Sequence, residues 1–139
     1  MMISTRGRYA LRVMIDLAEH QENGRYTAMK AVAERQGVSL KYMEKILPLL
    51  VSARMVEGIT GKGGGYRLTR EPQEYRVGEI LRLTEGDLAP VACVACDAKP
   101  CPHTGECRTR PMWGELSKRI NDYLDSVTLA DMMQKSEDI

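Results

Sequence analysis

Four cysteines, Cys93, Cys96, Cys101 and Cys107, fall within one short stretch of the sequence with the spacing C-x2-C-x4-C-x5-C. Thiolates this close together can wrap one soft metal centre, and four of them match either zinc or a [2Fe–2S] or [4Fe–4S] cluster. The spacing does not choose between these: zinc sites commonly pair two C-x2-C knuckles, and this chain has one. Unmetallated, redox-sensing thiols are the third alternative, because clustered cysteines in a reducing compartment serve metal binding or redox chemistry rather than structural disulfides. His103, beside Pro102 within the cluster, is a reserve ligand whose simpler role is that of an exposed loop residue.

A second set of residues has the chemistry of nucleic-acid recognition. Ser39 is placed to cap a helix whose apolar face carries Met43, Ile46, Leu47 and Leu50, while Lys41, Tyr42, Glu44 and Lys45 crowd its first turns on the other side. Such a helix fits the major groove of B-DNA and meets base edges with its N-terminal turns. A carboxylate such as Glu44 is unfavourable near phosphates unless it accepts a hydrogen bond, as from a cytosine amino group; the plainer alternative is an ion pair with a neighbouring lysine. Further on, Thr60-Gly61-Lys62-Gly63-Gly64-Gly65 makes a glycine-rich hairpin tip, with Lys62 and Arg67 suited to the DNA backbone or minor groove. The run lacks the Gly-Lys-Ser/Thr ending of a phosphate-binding P-loop and no helix follows it, which argues against a nucleotide-using enzyme.

Positioning these groups requires a mainly helical chain with one small β-hairpin. Apolar residues Ala10, Val13, Met14, Leu17 and Ala18 recur at helical spacing from Arg8 to the Glu22-Asn23-Gly24 turn. Thr27 is a candidate N-cap for a short helix that Gly37 should stop, and Pro48 should bend the helix that follows Ser39. Strands are expected over 55–59 and 66–68, a short helix over 77–83, and a long loop from Gly86 to Pro111 holding the cysteines. Trp113, Leu116, Ile120, Tyr123, Leu124 and Val127 form a last apolar stripe, followed by a capping box at Thr128–Asp131. A small domain offers that stripe little core to cover, so it is expected to pair with a second copy.

Net charge is +1, yet residues 1–70 hold 12 Lys and Arg against 6 Asp and Glu, and the remainder holds 8 against 13. The basic half is the one with the helix-helix-hairpin order of a winged helix-turn-helix. No apolar run approaches the roughly 20 residues of a membrane span, and the N-terminus lacks the apolar core of a secretory signal, so a cytoplasmic protein without a membrane partner is expected.

The segments Arg6-Gly7-Arg8-Tyr9-Ala10-Leu11, Glu34-Arg35-Gln36-Gly37-Val38-Ser39-Leu40-Lys41-Tyr42-Met43-Glu44, Gly63-Gly64-Gly65-Tyr66-Arg67-Leu68, the cysteine cluster and Met112-Trp113 together resemble the Rrf2 family over nearly the whole chain, in particular its iron–sulfur-cluster-biogenesis regulator type. The resemblance implies a DNA-binding transcriptional regulator, with repression the expected sign, no enzymatic activity and no small-molecule substrate. It implies that residues 39–45 enter the major groove, that the wing reaches the minor groove, and that a long C-terminal helix crosses its partner's in a homodimer. The expected DNA contacts are Arg8, Ser39, Lys41, Tyr42, Glu44, Lys45, Thr60, Lys62 and Gly64. It also moves the cysteines toward iron: Cys101-x5-Cys107 matches the family's last ligand interval. The histidine three residues later in the biogenesis type is Arg110 here, and the N-terminal acidic ligand of nitric-oxide-sensing members is Arg8. The expected ligand set is therefore Cys93, Cys96, Cys101 and Cys107 around an iron–sulfur cluster, with zinc as the alternative. The corresponding organisation is a winged helix-turn-helix over 1–85, a sensor loop over 86–110, a dimerisation helix and short C-terminal helix over 111–133, and a loose tail over 134–139. Thr60 stands where the biogenesis type often has arginine, so the operator sequence is expected to differ.

Overall fold

The structure, a computed structural model, describes residues 3–21, 24–95, 99 and 105–133. The expected tail, along with Cys96, Cys101 and His103, lies outside the described residues.

The first helix, α1 (Thr5–His20), begins three residues before the apolar stripe because the Ser4 hydroxyl accepts the Gly7 N–H at 3.1 Å. It runs through the centre of the fold, with Ala10, Val13 and Met14 fully buried. Against it pack α2 (Met29–Gln36) and α3 (Leu40–Ser52). Gly37 ends α2 in the left-handed conformation, with φ 65°, and its N–H donates to the Ala33 and Glu34 carbonyls. Ser39 starts α3 by accepting the Tyr42 N–H at 3.0 Å. The two short helices are thus joined by three residues. Thr27 does not cap α2. Its backbone N–H and C=O instead pair with Tyr66 at 2.8 Å each, and the N-cap position falls to Ala28, which makes no side-chain bond.

Helix α3 continues through Pro48, which lies on its exposed side, and stops at Ser52. The chain then turns through Arg54, whose φ of 59° is the left-handed value normally left to glycine, and enters β1 (Val56–Ile59). β1 pairs antiparallel with β2 (Gly65–Leu68), with Val56 opposite Leu68 and Ile59 opposite Gly65. Gly65 has no alternative at its position. A Cβ there would collide with the Thr27 carbonyl, and its φ is 151°.

A 3-10 turn at Pro72–Glu74 leads into α4 (Val77–Glu85), the chief packing partner of α1. The expected loop follows, containing a second 3-10 turn at Ala92–Val94, and α5 (Arg110–Ser126) opens with Pro111 in its first turn. Finally α6 (Leu129–Met132) is fixed by the capping box: Thr128 N–H donates to Asp131 at 2.9 Å and Asp131 N–H to Thr128 at 3.2 Å. Leu129 is fully buried in the main core, so α6 returns to the N-terminal half.

Tyr75 sits at the convergence of these elements and is fully buried. Its hydroxyl donates to the Met55 carbonyl at 2.6 Å and accepts the Thr69 and Arg70 N–H groups at 3.0 and 3.1 Å. Its own carbonyl accepts the Leu129 N–H at 3.2 Å. Replacing Tyr75 with phenylalanine leaves the ring in place and deletes every bond of the hydroxyl, two of them from backbone donors. The expected result is a loss of about 2–3 kcal/mol, read as a lower denaturant midpoint with unchanged slope.

Candidate nucleic-acid interface and sensor thiols

The placement of the helix pair rests on Asp16, an α1 carboxylate only 1% exposed. Arg35 of α2 binds it in a two-pronged arrangement, Nη2 to Oδ1 at 2.7 Å and Nε to Oδ2 at 3.0 Å, and Gln36 Nε2 donates to Oδ2 at 2.8 Å. Burial pushes the Asp16 carboxyl up. The bonds from Arg35 and Gln36, with the charges of Arg35 and His20, outweigh that burial and hold the group below its ordinary range. Arg12 of α1 adds a second tie, donating to the Gln36 carbonyl at 2.8 Å.

With α2 so held, the first turns of α3 face solvent. Ser39, Lys41, Glu44 and Lys45 are exposed, while Tyr42 is half-buried. Glu44 makes no ion pair among the described residues, so the lysine pairing considered for it does not form. Tyr42 has a packing role that its sequence position did not announce: its ring stands edge-on to Tyr9 of α1 at 5.6 Å between centroids. Arg12 lies over the other tyrosine at 4.8 Å, and Lys45 over Tyr42 at 6.0 Å. Tyr9 and Arg12, three residues apart on one helical face, carry the only sequence signal of this stack.

At the wing, Thr60 and Lys62 are exposed at the tip, and the Gly64 N–H closes the turn on the Gly61 carbonyl at 3.0 Å. Arg67 is differently employed. Its Nε bonds Glu57 on the paired strand at 2.6 Å, its Nη1 bonds the Gly24 carbonyl at 2.8 Å, and its guanidinium covers the Tyr26 ring at 4.5 Å. It anchors the wing to the 24–27 segment, a use that its place in the hairpin did not announce. Arg8, exposed on the first turns of α1, donates to Thr5 Oγ1 at 3.2 Å.

The segment between α4 and α5 places Cys93 in the 3-10 turn that packs against α5, and Cys107 three residues before that helix begins. Both thiols are free and partly exposed. Cys107 Sγ lies 3.4 Å from the Thr109 hydroxyl. That contact, the Thr109 and Arg110 N–H groups and the Arg110 charge hold its thiol below the ordinary value. A favoured thiolate is what metal ligation or thiol redox chemistry needs. Among the described residues no three His, Cys, Asp or Glu side chains converge, since two of the four cysteines lie outside them.

A hydrogen-bonded carboxylate and an ion pair brace the ends of this segment. Glu85, at the end of α4, accepts from the Ser4 N–H, and from its hydroxyl at 2.9 Å. Arg82 of α4 grips α5 through Asp125 at 2.7 and 2.9 Å and Asn121 at 2.7 Å. Helix α5 buries no residue fully. Ile120 and Leu124 pack on Val77, Leu81 and Leu88, while Met112, Leu116 and Tyr123 stay 53%, 39% and 67% exposed.

Fold and site together define a winged helix-turn-helix regulator of transcription. The chain belongs to the Rrf2 family: the family's profile, described as iron-dependent transcriptional regulator, matches residues 3–135. Protein Rrf2 of Nitratidesulfovibrio vulgaris is 36% identical over 135 residues, covering 96% of this chain and 88% of that protein. The HTH-type transcriptional regulator IscR of Aliivibrio salmonicida is 34% identical over 137 residues, 99% of this chain and 80% of its own length. Among solved structures, CymR, the global cysteine regulator of B. subtilis, superimposes with a TM-score of 0.79 at 32% identity, covering 95% of each chain. IscR of T. potens gives 0.75 at 36% identity, covering 95% of this chain and 85% of that one. The chain is accordingly a regulator and not an enzyme, and no helix among the described residues is long and apolar enough to cross a membrane.

Asp16 also fixes how the scaffold responds to acid. A carboxyl held below its unfolded value stabilises the fold above that value, and the stabilisation is lost as pH falls through the folded one. Asp16→Asn should cost about 2 kcal/mol at neutral pH. Its stability should also fall less than that of the native chain on acidification below about pH 4, measured by chemical denaturation across pH.

Proposed function

We propose that this regulator binds double-stranded DNA as a homodimer, and that its four cysteines hold an iron–sulfur cluster that controls its affinity. In this reading Ser39, Lys41, Tyr42, Glu44 and Lys45 lie in the major groove, Glu44 accepting from a cytosine amino group. Thr60, Lys62 and Gly64 approach the minor groove, and Arg8 a phosphate. The supporting observation is the Ser39-capped start of α3, which presents Lys41 and Glu44 exposed and without ion pairs beside the wing. Residues 1–85 form the DNA-reading unit, 86–110 the sensor and 111–133 the dimer element, with α6 packed back on the core.

Dimerisation is supported by α5, whose Met112, Leu116 and Tyr123 recur at four- and seven-residue intervals and stay exposed beside the strip that packs on α4. Leu116→Glu is expected to give a monomer by sedimentation and to weaken DNA binding on the order of a hundredfold, the loss of a linked second site. An undiminished dimer would remove α5 from the interface.

Cys93, Cys96, Cys101 and Cys107 are the proposed ligands, and the family's iron-dependent description agrees with them. When bound, the cluster supplies redox-sensitive iron–thiolate bonds. The protein's part is positional. Cys93 packs against α5 and Cys107 precedes it, so a change in how these thiols are held acts at the root of the dimer helix. Half-sites about 34–36 Å apart require two recognition helices in fixed relation. The lowered Cys107 thiol and the likeness to a cysteine regulator favour a second reading, a zinc or bare-thiol switch on the same scaffold.

Anaerobic reconstitution with iron and sulfide separates the two. Visible cluster absorption, and a DNA affinity that shifts between cluster-loaded and apo forms, are the expected results. Colourless protein that takes up zinc, or no metal, and still binds DNA would overturn the cluster and leave the second reading.

A further inference from the structure

The structure divides the 12 Lys and Arg of residues 1–70 by what they are used for. Six are engaged within the chain. Arg6 donates to the Thr84 carbonyl, Arg8 to Thr5 and Arg12 to Gln36, while Arg35, Arg67 and Arg70 pair with Asp16, Glu57 and Glu79. The side chains of Arg25, Lys30, Lys41, Lys45, Arg54 and Lys62 make no hydrogen bond or ion pair among the described residues, and all six residues are exposed.

Lys41, Lys45 and Lys62 belong to the recognition helix and wing tip already assigned. Lys30, in the first turn of α2, borders the same concavity as Gly37, Val38 and Leu40, which places it beside the start of α3. Arg25 precedes Tyr26, which Arg67 covers, and Thr27, whose backbone pairs with Tyr66 next to the wing tip. These two cations therefore flank the recognition helix and the wing, on a segment locked in place by backbone pairing and by Arg67. No carboxylate bonds to either.

We infer that Arg25 and Lys30 contact DNA phosphates on the strand flanking the bases read by α3, extending the footprint beyond the recognition helix and wing tip. The inference rests on the DNA-binding reading above and adds two backbone contacts to it. Phosphate contacts fix register without reading sequence, and each releases condensed counterions, so each leaves a signature in the salt dependence of binding. Arg54 is the internal control. It too is exposed and free of ion pairs, but it follows the far end of α3, a 13-residue helix about 20 Å long, and borders the base of the wing at Glu57 and Gly58 rather than its tip or the start of α3.

The test measures affinity for random-sequence duplex DNA, and for a duplex enriched from genomic fragments by the native protein, between about 50 and 200 mM salt. Arg25→Gln and Lys30→Gln should each make the slope of log affinity against log salt shallower by about 0.9, and the double variant by about 1.8. Discrimination between the two duplexes and the melting temperature should stay unchanged. Arg25→Lys should keep the native slope, and so should Arg54→Gln. A double variant with the native slope overturns the inference while leaving DNA binding intact, and an equal effect from Arg54→Gln overturns it by showing a response to net charge alone. If the native protein shows no salt-weakened binding to either duplex, the DNA-binding reading fails and takes this inference with it.

Discussion

The hydroxyl of Tyr75 is the constraint on which the arrangement of wing, core and C-terminal helices depends. It lies where the end of α3, the end of β2 and the start of α4 meet, and it satisfies backbone groups from two of those three places. Such groups, left unpaired in a dry interior, would cost more than the bonds themselves contribute. The ring fills the space between elements, and Arg70 closes over it at 4.3 Å while pairing with Glu79 of α4. Because the Tyr75 carbonyl also receives Leu129, the far end of the chain is held by the residue that anchors the base of the wing. The hairpin is only four residues per strand, too short to stand without such an anchor.

Charge is divided in the same economical manner. Asp16 and Glu57 each take one arginine, Arg35 and Arg67, and in doing so place α2 and the wing. Cations engaged in this way hold the scaffold, and the others, Arg54 among them, stand exposed without ion pairs. An excess of positive charge in residues 1–70 describes both groups at once, which is why net charge alone says little about where DNA binds.

The sequence was most legible where a residue acts on its immediate neighbours. Gly37, Ser39 and the Thr128–Asp131 box each satisfy backbone groups within four residues, and the structure uses all of them as their types suggest. Thr27 was misread because its partner, Tyr66, is 39 positions away, and pairing both its N–H and C=O there outweighs a single capping bond. The anchoring contacts of Arg67 were hidden for a related reason: Glu57 is its cross-strand neighbour, but the Gly24 carbonyl and Tyr26 ring reach it only through the fold. The α5 stripe looked like one apolar face. Only one edge of it is covered, with Ile120 and Leu124 packed toward α4 and the adjoining Met112, Leu116 and Tyr123 left exposed, a distinction invisible until the α4 contacts are known. The cysteine spacing was evident, whereas the thiolate-favouring role of Thr109 and Arg110 depends on the start of α5 turning their N–H groups toward Cys107.

The braces at α4 determine what a change in the 86–110 segment can move. Its leading end follows Glu85, which holds the Ser4 N–H and hydroxyl at the head of α1. Its trailing end opens α5, which Arg82 holds to α4 through Asp125 and Asn121. Gly78 lets Asp125 lie against the α4 backbone, where any side chain would displace it. Both ends therefore report to α4, and α4 lies on α1, the helix whose Asp16 positions α2. In the sensing role proposed for the cysteines, a rearrangement among them would reach the recognition helix along these packed and charge-paired contacts, which have discrete partners rather than a continuum of positions. In the proposed dimer, such a scaffold would switch by reorientation of whole winged domains about α5 rather than by distortion within one of them, because the Tyr75 and Asp16 bonds make the domain costly to deform.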